Sequence, residues 1–359
     1  MDSYNIVVCN NCGFIYADNI PSQNEFNEYY ARQSKYEFNY EDGQISVDYK
    51  KYFERVAKFL VPYLKDKKAR ILDIGCASGD LLAILKSKGY SNLTGIEPSP
   101  DCIIKANELY GIKIITDNIY DFETSEQFDL VIISAVLEHL MDLTGAIEKI
   151  KSLLKDDGLI FVEVPDIERF DSYIPAPFQQ FNMEHLNFFS RYSLENLLSK
   201  FSFTTIKVQH EECEADNVTM PDIYFLSQKS NNHNVGIEKD NISEFCVKKY
   251  ITKCSEISLE LNTLLQNKLS NIDRIIVWGV GTHTKQLLDT CLDISKVTYF
   301  VDSNSRYKNK KIKGKDIILP NEIDECIPIL ISTHSYQQEI IHQIKEVLKL
   351  NNEVIAIYE

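Results

Sequence analysis

The stretch Ile71-Leu72-Asp73-Ile74-Gly75-Cys76-Ala77-Ser78-Gly79-Asp80 reads as a buried strand that ends in a glycine-bearing turn and opens a helix. Gly75 and Gly79 remove side chains where a ligand must lie against the main chain. The helix that starts near Asp80-Leu81-Leu82 aims its N–H groups at the same space. The spacing is Asp-x-Gly-x-x-x-Gly, not the Gly-x-Gly-x-x-Gly that admits a pyrophosphate, and the acid ahead of the first glycine would repel one. An acid in that place suits a cation. Eighteen residues after Gly79 a second strand, Leu93-Thr94-Gly95-Ile96-Glu97, ends in a carboxylate able to accept both hydroxyls of a ribose. Together the two strands describe a site for a ribose-bearing cation.

With the later stretch Phe128-Asp129-Leu130-Val131-Ile132-Ile133-Ser134-Ala135-Val136-Leu137-Glu138-His139-Leu140-Met141-Asp142, these motifs occur in order and spacing such that the chain resembles the class I S-adenosylmethionine-dependent methyltransferases. The resemblance implies a doubly wound α/β sheet and S-adenosylmethionine as cofactor. Asp73, Gly75 and Gly79 would surround its methionine part, Glu97 would take the ribose hydroxyls, and Asp117 with Asn118 would lie near the adenine. Cys76 and Ser134 complete the expected set of cofactor contacts. Glu138-His139 follows the fourth strand, where such a pair shapes the loop below the cofactor, so His139 is expected to be structural.

Composition sets outer limits. A chain of 359 residues is long for one core, and its 44% hydrophobic and 25% charged residues are those of an ordinary soluble enzyme. Apolar runs such as Leu130-Val131-Ile132-Ile133 are too short for a bilayer, and Met1 to Asn5 show no secretory signal, so the expected location is the cytoplasm. A formal charge of −15 argues against broad attachment to nucleic acid or anionic membranes, although the basic run Lys308 to Lys315 offers a local phosphate site. Among nine scattered cysteines only Cys9 and Cys12 have suggestive spacing. They make half of a zinc knuckle, with no second pair or histidine before Cys76.

Four segments follow from the pattern. Residues 1–48 form a small aromatic-rich lobe with a strand at Phe14-Ile15-Tyr16 and core aromatics Phe26, Tyr29 and Tyr30. Residues 49–229 form the cofactor domain, entered by an amphipathic helix from Asp48 to Leu64 and closed by a strand from Asp222 to Gln228. Residues 230–270 are a polar linker (Ser230-Asn231-Asn232-His233) and a helix from about Ile237 to Leu269. Residues 271–359 restart the pattern as a second, smaller Rossmann-like domain. There the strand Arg274 to Trp278 precedes the turn Gly279-Val280-Gly281-Thr282-His283, and a second strand ends at Asp302. Thr284 replaces the third glycine, which leaves nucleotide-sugar contact, a structural lobe and redox cofactor binding all open for this domain. His283 and His334 also follow strands, and stay outside the catalytic set.

The donor is a sulfonium with a good leaving group, so the protein must align an acceptor and remove its proton. The base should lie after the fifth strand, Leu159 to Val164, where the chain runs through Pro175 and Pro177 to Phe181-Asn182-Met183-Glu184-His185-Leu186-Asn187-Phe188-Phe189-Ser190. With the cysteine pair before it and the Rossmann-like lobe after it, Glu184-His185 resembles the Tyr-x-Glu-His segment of three-domain methyltransferases of nucleotide-linked deoxysugars. The resemblance implies that His185 is the general base. Glu184 matches the acid, and as a residue stands open between acid, substrate ligand and helix-start partner. Two departures stand out: Asn182 occupies the tyrosine position and cannot stabilise an enolate in the same way, and only one of two cysteine pairs is present. The expectation is methyl transfer to a sugar, nucleotide-linked. Its rivals are oxygen methylation of another glycan or small phosphorylated metabolite, and a binding protein that keeps the fold without turnover.

Overall fold

The structure, a computed structural model, describes residues 4–23, 25–26, 40–41, 44–45, 47–182, 184–215, 218–230 and 236–358. Tyr29, Tyr30 and the linker residues Asn231 to His233 lie outside the described residues. The chain divides into two compact units, Met1–Tyr173 with Met183–Ala215 and Thr219–Lys248, and Ile174–Asn182 with Asp216–Val218 and Lys249–Glu359.

The first unit begins with β1 (Asn5–Val8) and β2 (Ile15–Asp18), followed by the hairpin of β3 (Tyr40–Glu41) and β4 (Gln44–Ile45) and by helix α1 (Val47–Leu60). Then come β5 (Arg70–Ile74), α2 (Asp80–Ser87), β6 (Asn92–Glu97), α3 (Pro100–Tyr110), β7 (Lys113–Thr116), β8 (Phe128–Ser134), α4 (Leu143–Leu153) and β9 (Leu154–Pro165). The unit continues through β10 (Asn187–Phe188), α5 (Arg191–Lys200), β11 (Phe203–Ala215) and most of β12 (Val218–Lys229).

Seven strands form the main sheet in the order β11-β12-β9-β8-β5-β6-β7. The run from β9 to β7 is parallel, and β12 joins β9 antiparallel. The near-continuous burial of β5 and β8 is what a parallel strand covered by helices on both faces requires. Alternation sorts the side chains: Leu72, Ile74, Val131 and Ile133 enter one core with Ile147 and Ile150 of α4. Ile71, Leu130, Ile132 and Phe161 enter the other with Val56 and Leu60 of α1. Strand order reverses at β5, which has β6 on one side and β8 on the other, so a crevice opens beyond the carboxyl ends of β5 and β8.

The N-terminal strands do not close on themselves. Phe188 of β10 pairs with Ile15 of β2, and the turn at Gly13 (φ +79°) packs on the carbonyl of Asp240. Asp240 also accounts for a linker helix shorter than expected. Its carboxylate accepts the N–H groups of Ile242 and Ser243 at 2.9 and 3.0 Å, and α6 therefore starts at Ser243 and ends at Lys268.

In the second unit, β13 (Ile275–Trp278), α7 (Thr282–Thr290), β14 (Val297–Val301), β15 (Lys311–Ile312), β16 (Lys315–Ile318), β17 (Ile329–Ile331), α8 (Gln337–His342) and β18 (Val354–Ala356) make a six-stranded sheet in the order β15-β16-β14-β13-β17-β18. The basic run expected to hold phosphate is largely neutralised: Lys308 pairs with Glu322 at 2.6 Å, Lys311 with Asp316 at 3.0 Å and Lys313 with Asp289 at 2.7 Å. Among the described residues no helix is long and apolar enough to cross a membrane.

Candidate functional site

The crevice of the main sheet gathers most of the residues singled out in the sequence. Gly75 has φ +70°, and a Cβ there would meet Val136 Cγ2 at 2.6 Å; Gly79, at φ +77°, caps α2 in the left-handed conformation. At Gly75 the space that a side chain would need is filled by Val136 of the β8 loop, so that glycine serves loop packing. The N–H groups of Gly75 and Cys76 both reach the carbonyl of Ile96, at 2.9 and 3.2 Å, which ties the turn to β6. Cys76 is buried with its sulfur against Gly95, where a Cβ would collide with it, so its side chain is core and only its main chain faces the turn.

Glu97 ends β6. One carboxylate oxygen accepts Ala77 N–H at 3.1 Å and the other Ser99 N–H at 2.9 Å, so the group is held rigidly while each oxygen keeps a lone pair. Burial raises its pKa, against the lowering effect of the two N–H groups. Asp73, also buried, accepts no hydrogen bond from the described residues. Burial, followed by repulsion from Glu97 and Glu163, pushes its carboxyl up to about 8. Asp117 lies after β7 and receives the N–H of Asn118 at 2.8 Å. Asn118 is committed to its own turn: Oδ1 accepts from Tyr120 and Asp121, and Nδ2 donates to Asp121 at 2.6 Å. Its side chain therefore shapes the loop after β7.

Beside this half lies a second, polar chamber at the ends of β8 and β9. Ser134 Oγ donates to Glu163, and Tyr52 of α1 donates to the same carboxylate oxygen at 2.6 Å, with Ser134 Oγ 3.0 Å from the Tyr52 hydroxyl. The other oxygen of Glu163 is buried without a partner, and burial pushes the group up to about 7 despite the two hydroxyls that favour its charge. Ser134, expected as a cofactor contact, is thus also the clamp on Glu163. Tyr52 and Glu163 escaped the sequence reading, because a tyrosine in an amphipathic helix and a glutamate within an apolar strand carry no motif.

Glu138, His139 and His185 meet at the rim of the chamber. Nδ1 of His139 bonds the Glu184 carbonyl at 2.8 Å, Nε2 faces Glu138 at 3.6 Å, and the His139 and His185 rings meet edge-on with centroids 5.1 Å apart. His139 thus ties the loop after β8 to the segment that carries His185. One donor atom from each of the three side chains lies within 4.8 Å of the others, a spacing that suits a divalent cation or a shared proton. Glu138 is buried, and burial pushes it up to about 8; its proton can fill the gap to Nε2 of His139. No third Cys, His, Asp or Glu joins Cys9 and Cys12 among the described residues to make a metal group.

The acids and the glycine turn suit the methyl donor. Asp73 and Glu97 are buried acids whose pKa values burial raises, and a cation beside them would favour their charged forms. An ammonium and a sulfonium on a ribose would supply that charge. Residues 46–208 match the family model described as a methyltransferase domain, and residues 271–355 match one described as C2185-like, N-terminal. The central domain has the class I S-adenosylmethionine-dependent methyltransferase fold.

Among curated proteins, this methyltransferase domain is similar to (S)-coclaurine N-methyltransferase of Papaver somniferum, with 30% identity over 107 residues, 28% of this chain and 30% of that protein. It is similar also to malonyl-[acyl-carrier protein] O-methyltransferase of Acetivibrio thermocellus, 30% identical over 31% of this chain and 42% of that protein. A third is ubiquinone biosynthesis O-methyltransferase of Glaesserella parasuis, 30% identical over 28% of this chain and 49% of that protein. The matched stretches span less than half of each relative's length. The solved 1,6-didemethyltoxoflavin-N1-methyltransferase of Burkholderia thailandensis aligns with TM-score 0.45 and 16% identity over 64% of this chain and all of that one.

Proposed function

We propose that this protein transfers a methyl group from S-adenosylmethionine to a nucleotide-linked sugar, with His185 as general base. The observation that supports the reading is His185 standing against a histidine whose other nitrogen is fixed by a backbone carbonyl, next to a buried acid. When bound, the donor supplies an electrophilic methyl carbon on sulfur. The chain's own residues do the rest. Asp73 takes a cationic end of the donor, Glu97 holds the ribose, and the Gly75–Gly79 turn with Cys76 main chain bounds the space between. His185 accepts the proton that leaves the acceptor atom as its new bond to the methyl carbon forms and the carbon–sulfur bond breaks, its electrons going to sulfur. His139 and Glu138 orient His185, and Glu184 lines the same rim through its backbone. Asn182 supplies no phenol for an enolate, which favours a hydroxyl acceptor as a second reading.

The test is mass spectrometry of the purified protein with the donor and a panel of nucleotide sugars. A gain of one methylene mass on one acceptor supports the reading, and NMR of that product separates a methoxy from a C-methyl signal. No gain on any nucleotide sugar, with donor binding shown by calorimetry, refutes the nucleotide-sugar assignment.

A further inference from the structure

A groove of about 380 Å³ runs beside α1 and the edge strand β11, within the first unit and outside the sites described above. Its charge is unusual for a chain of formal charge −15. Arg55 and Lys58 from α1 and Lys207 from β11 converge on it, with Phe59 and Tyr63 as aromatic walls and Glu211 as the acid in its lining. That acid is engaged, accepting from the side chain of Gln209. The neighbouring Glu212 is held by Arg169 at 3.0 Å and by the hydroxyl of Tyr173.

The cations are not so satisfied. Nε and Nη2 of Arg55 are buried with no hydrogen-bond partner, and among the described residues neither Lys58 nor Lys207 makes an ion pair. Leaving two nitrogens of a guanidinium desolvated and unbonded costs free energy that a bound anion can recover through the fork of donors. Arg55 sits one helical turn after Tyr52, whose hydroxyl binds Glu163, and the Arg55 charge acts on that glutamate. The groove thus adjoins the chamber in which Ser134, Tyr52 and Glu163 meet.

We propose that this groove is a subsite for a nucleoside diphosphate carried by the methyl acceptor, with the phosphates on Arg55, Lys58 and Lys207 and a planar base against Phe59 and Tyr63. It rests on the reading of the acceptor as nucleotide-linked. The volume suits a small ligand with one flat apolar part, and cation and aromatic walls together match a nucleotide better than either would alone.

The experiment is calorimetric titration of uridine diphosphate, thymidine diphosphate and inorganic pyrophosphate into the full chain with S-adenosylhomocysteine present. Wild type is compared with Arg55→Gln and with Lys207→Glu, the latter a change on an exposed side chain that leaves the fold intact. The expected result is a nucleoside diphosphate that binds the wild type, about 10- to 100-fold more weakly on loss of the Arg55 fork and about 10-fold more weakly in Lys207→Glu. Affinity should also fall with added salt. Unchanged nucleotide affinity in both variants overturns the groove and leaves the nucleotide-linked acceptor standing. Absence of binding by either nucleoside diphosphate to the wild type overturns both.

Discussion

Replacing Asp73 by Asn tests whether the buried acids are a cation site. The carboxyl lies in the crevice beyond β5, is held up to about 8 and accepts no hydrogen bond from the described residues. At pH 7 it is therefore about nine-tenths protonated in the free protein, and must lose that proton to pair with a cation. Calorimetry at pH 7 in buffers of different ionisation enthalpy should show release of close to one proton from this group on binding S-adenosylhomocysteine, and almost none from it at pH 9. Asp73→Asn should abolish that release and weaken binding by about 10- to 200-fold, the worth of one charge-assisted hydrogen bond of about 1.5–3 kcal/mol. Stability gives an independent check. A carboxyl whose pKa is raised by folding binds more protons in the native state, so the free protein loses stability as pH rises from about 4 to about 8, and the variant loses less over that window. Wild-type affinity and unchanged proton release in Asp73→Asn would refute the cation-site argument.

Three further outcomes are expected. His185→Ala should lower kcat by about 10²- to 10⁴-fold with S-adenosylhomocysteine affinity unchanged, measured by steady-state kinetics and calorimetry; comparable turnover would remove it from the mechanism. Glu138→Gln should erase the fall in kcat that its deprotonation causes as pH rises through about 8, and EDTA should leave wild-type turnover unchanged, because the Glu138–His139 gap holds a proton; loss of activity on chelation would point to a metal at the three side chains instead. Gly75→Ala forces a Cβ into a positive-φ position 2.6 Å from Val136, and should destabilise the fold by about 2 kcal/mol or more in thermal melts.

Much of the fold was legible because β5, β6, β8 and β9 are apolar runs closed by turn signals. The strand and turn around Asp73, and the strand that ends in Glu97, lie where their apolar runs and glycines put them. The polar chamber and its rim were less legible. Glu163 is a lone acid in Leu159-Ile160-Phe161-Val162-Glu163-Val164, and nothing local says that Tyr52, more than a hundred residues earlier, will reach it. His139 and His185 are separated by a whole strand, a helix and a proline-bearing loop. The His139 bond to the Glu184 carbonyl, the Leu186 N–H bond to Glu138 and the Asn187 amide bonds to Leu137 and Leu140 bring the two segments together. Asn118 is of a type that suits both a ligand and an Asx turn, and the structure shows its side chain making the turn.

The second unit shows why an incomplete glycine pattern was hard to interpret. Its first turn repeats the logic of the first unit: Asp302, after β14, accepts the N–H groups of Val280 and of Asn304, the latter at 2.8 Å, as Glu97 accepts those of Ala77 and Ser99. A carboxylate that pins a turn in this way is a feature of the strand-turn-helix itself, present whether or not a ribose follows. The residue in place of the third glycine acts differently from a ligand-admitting position. The Thr284 hydroxyl donates to Gly279 at 3.0 Å and lies 2.7 Å from Ser332, which itself donates to Trp278 at 3.0 Å. These bonds knit the ends of β13 and β17 together where an open crevice would have to be, and a Cβ on Gly279 would meet Ser332 at 2.8 Å. Gly279 is thus demanded by packing and by φ +111°, and Thr284 by the hydroxyl network. Two of the residues that make the sequence look like a damaged dinucleotide site are explained by the closure of the sheet end, with no cofactor needed to account for either.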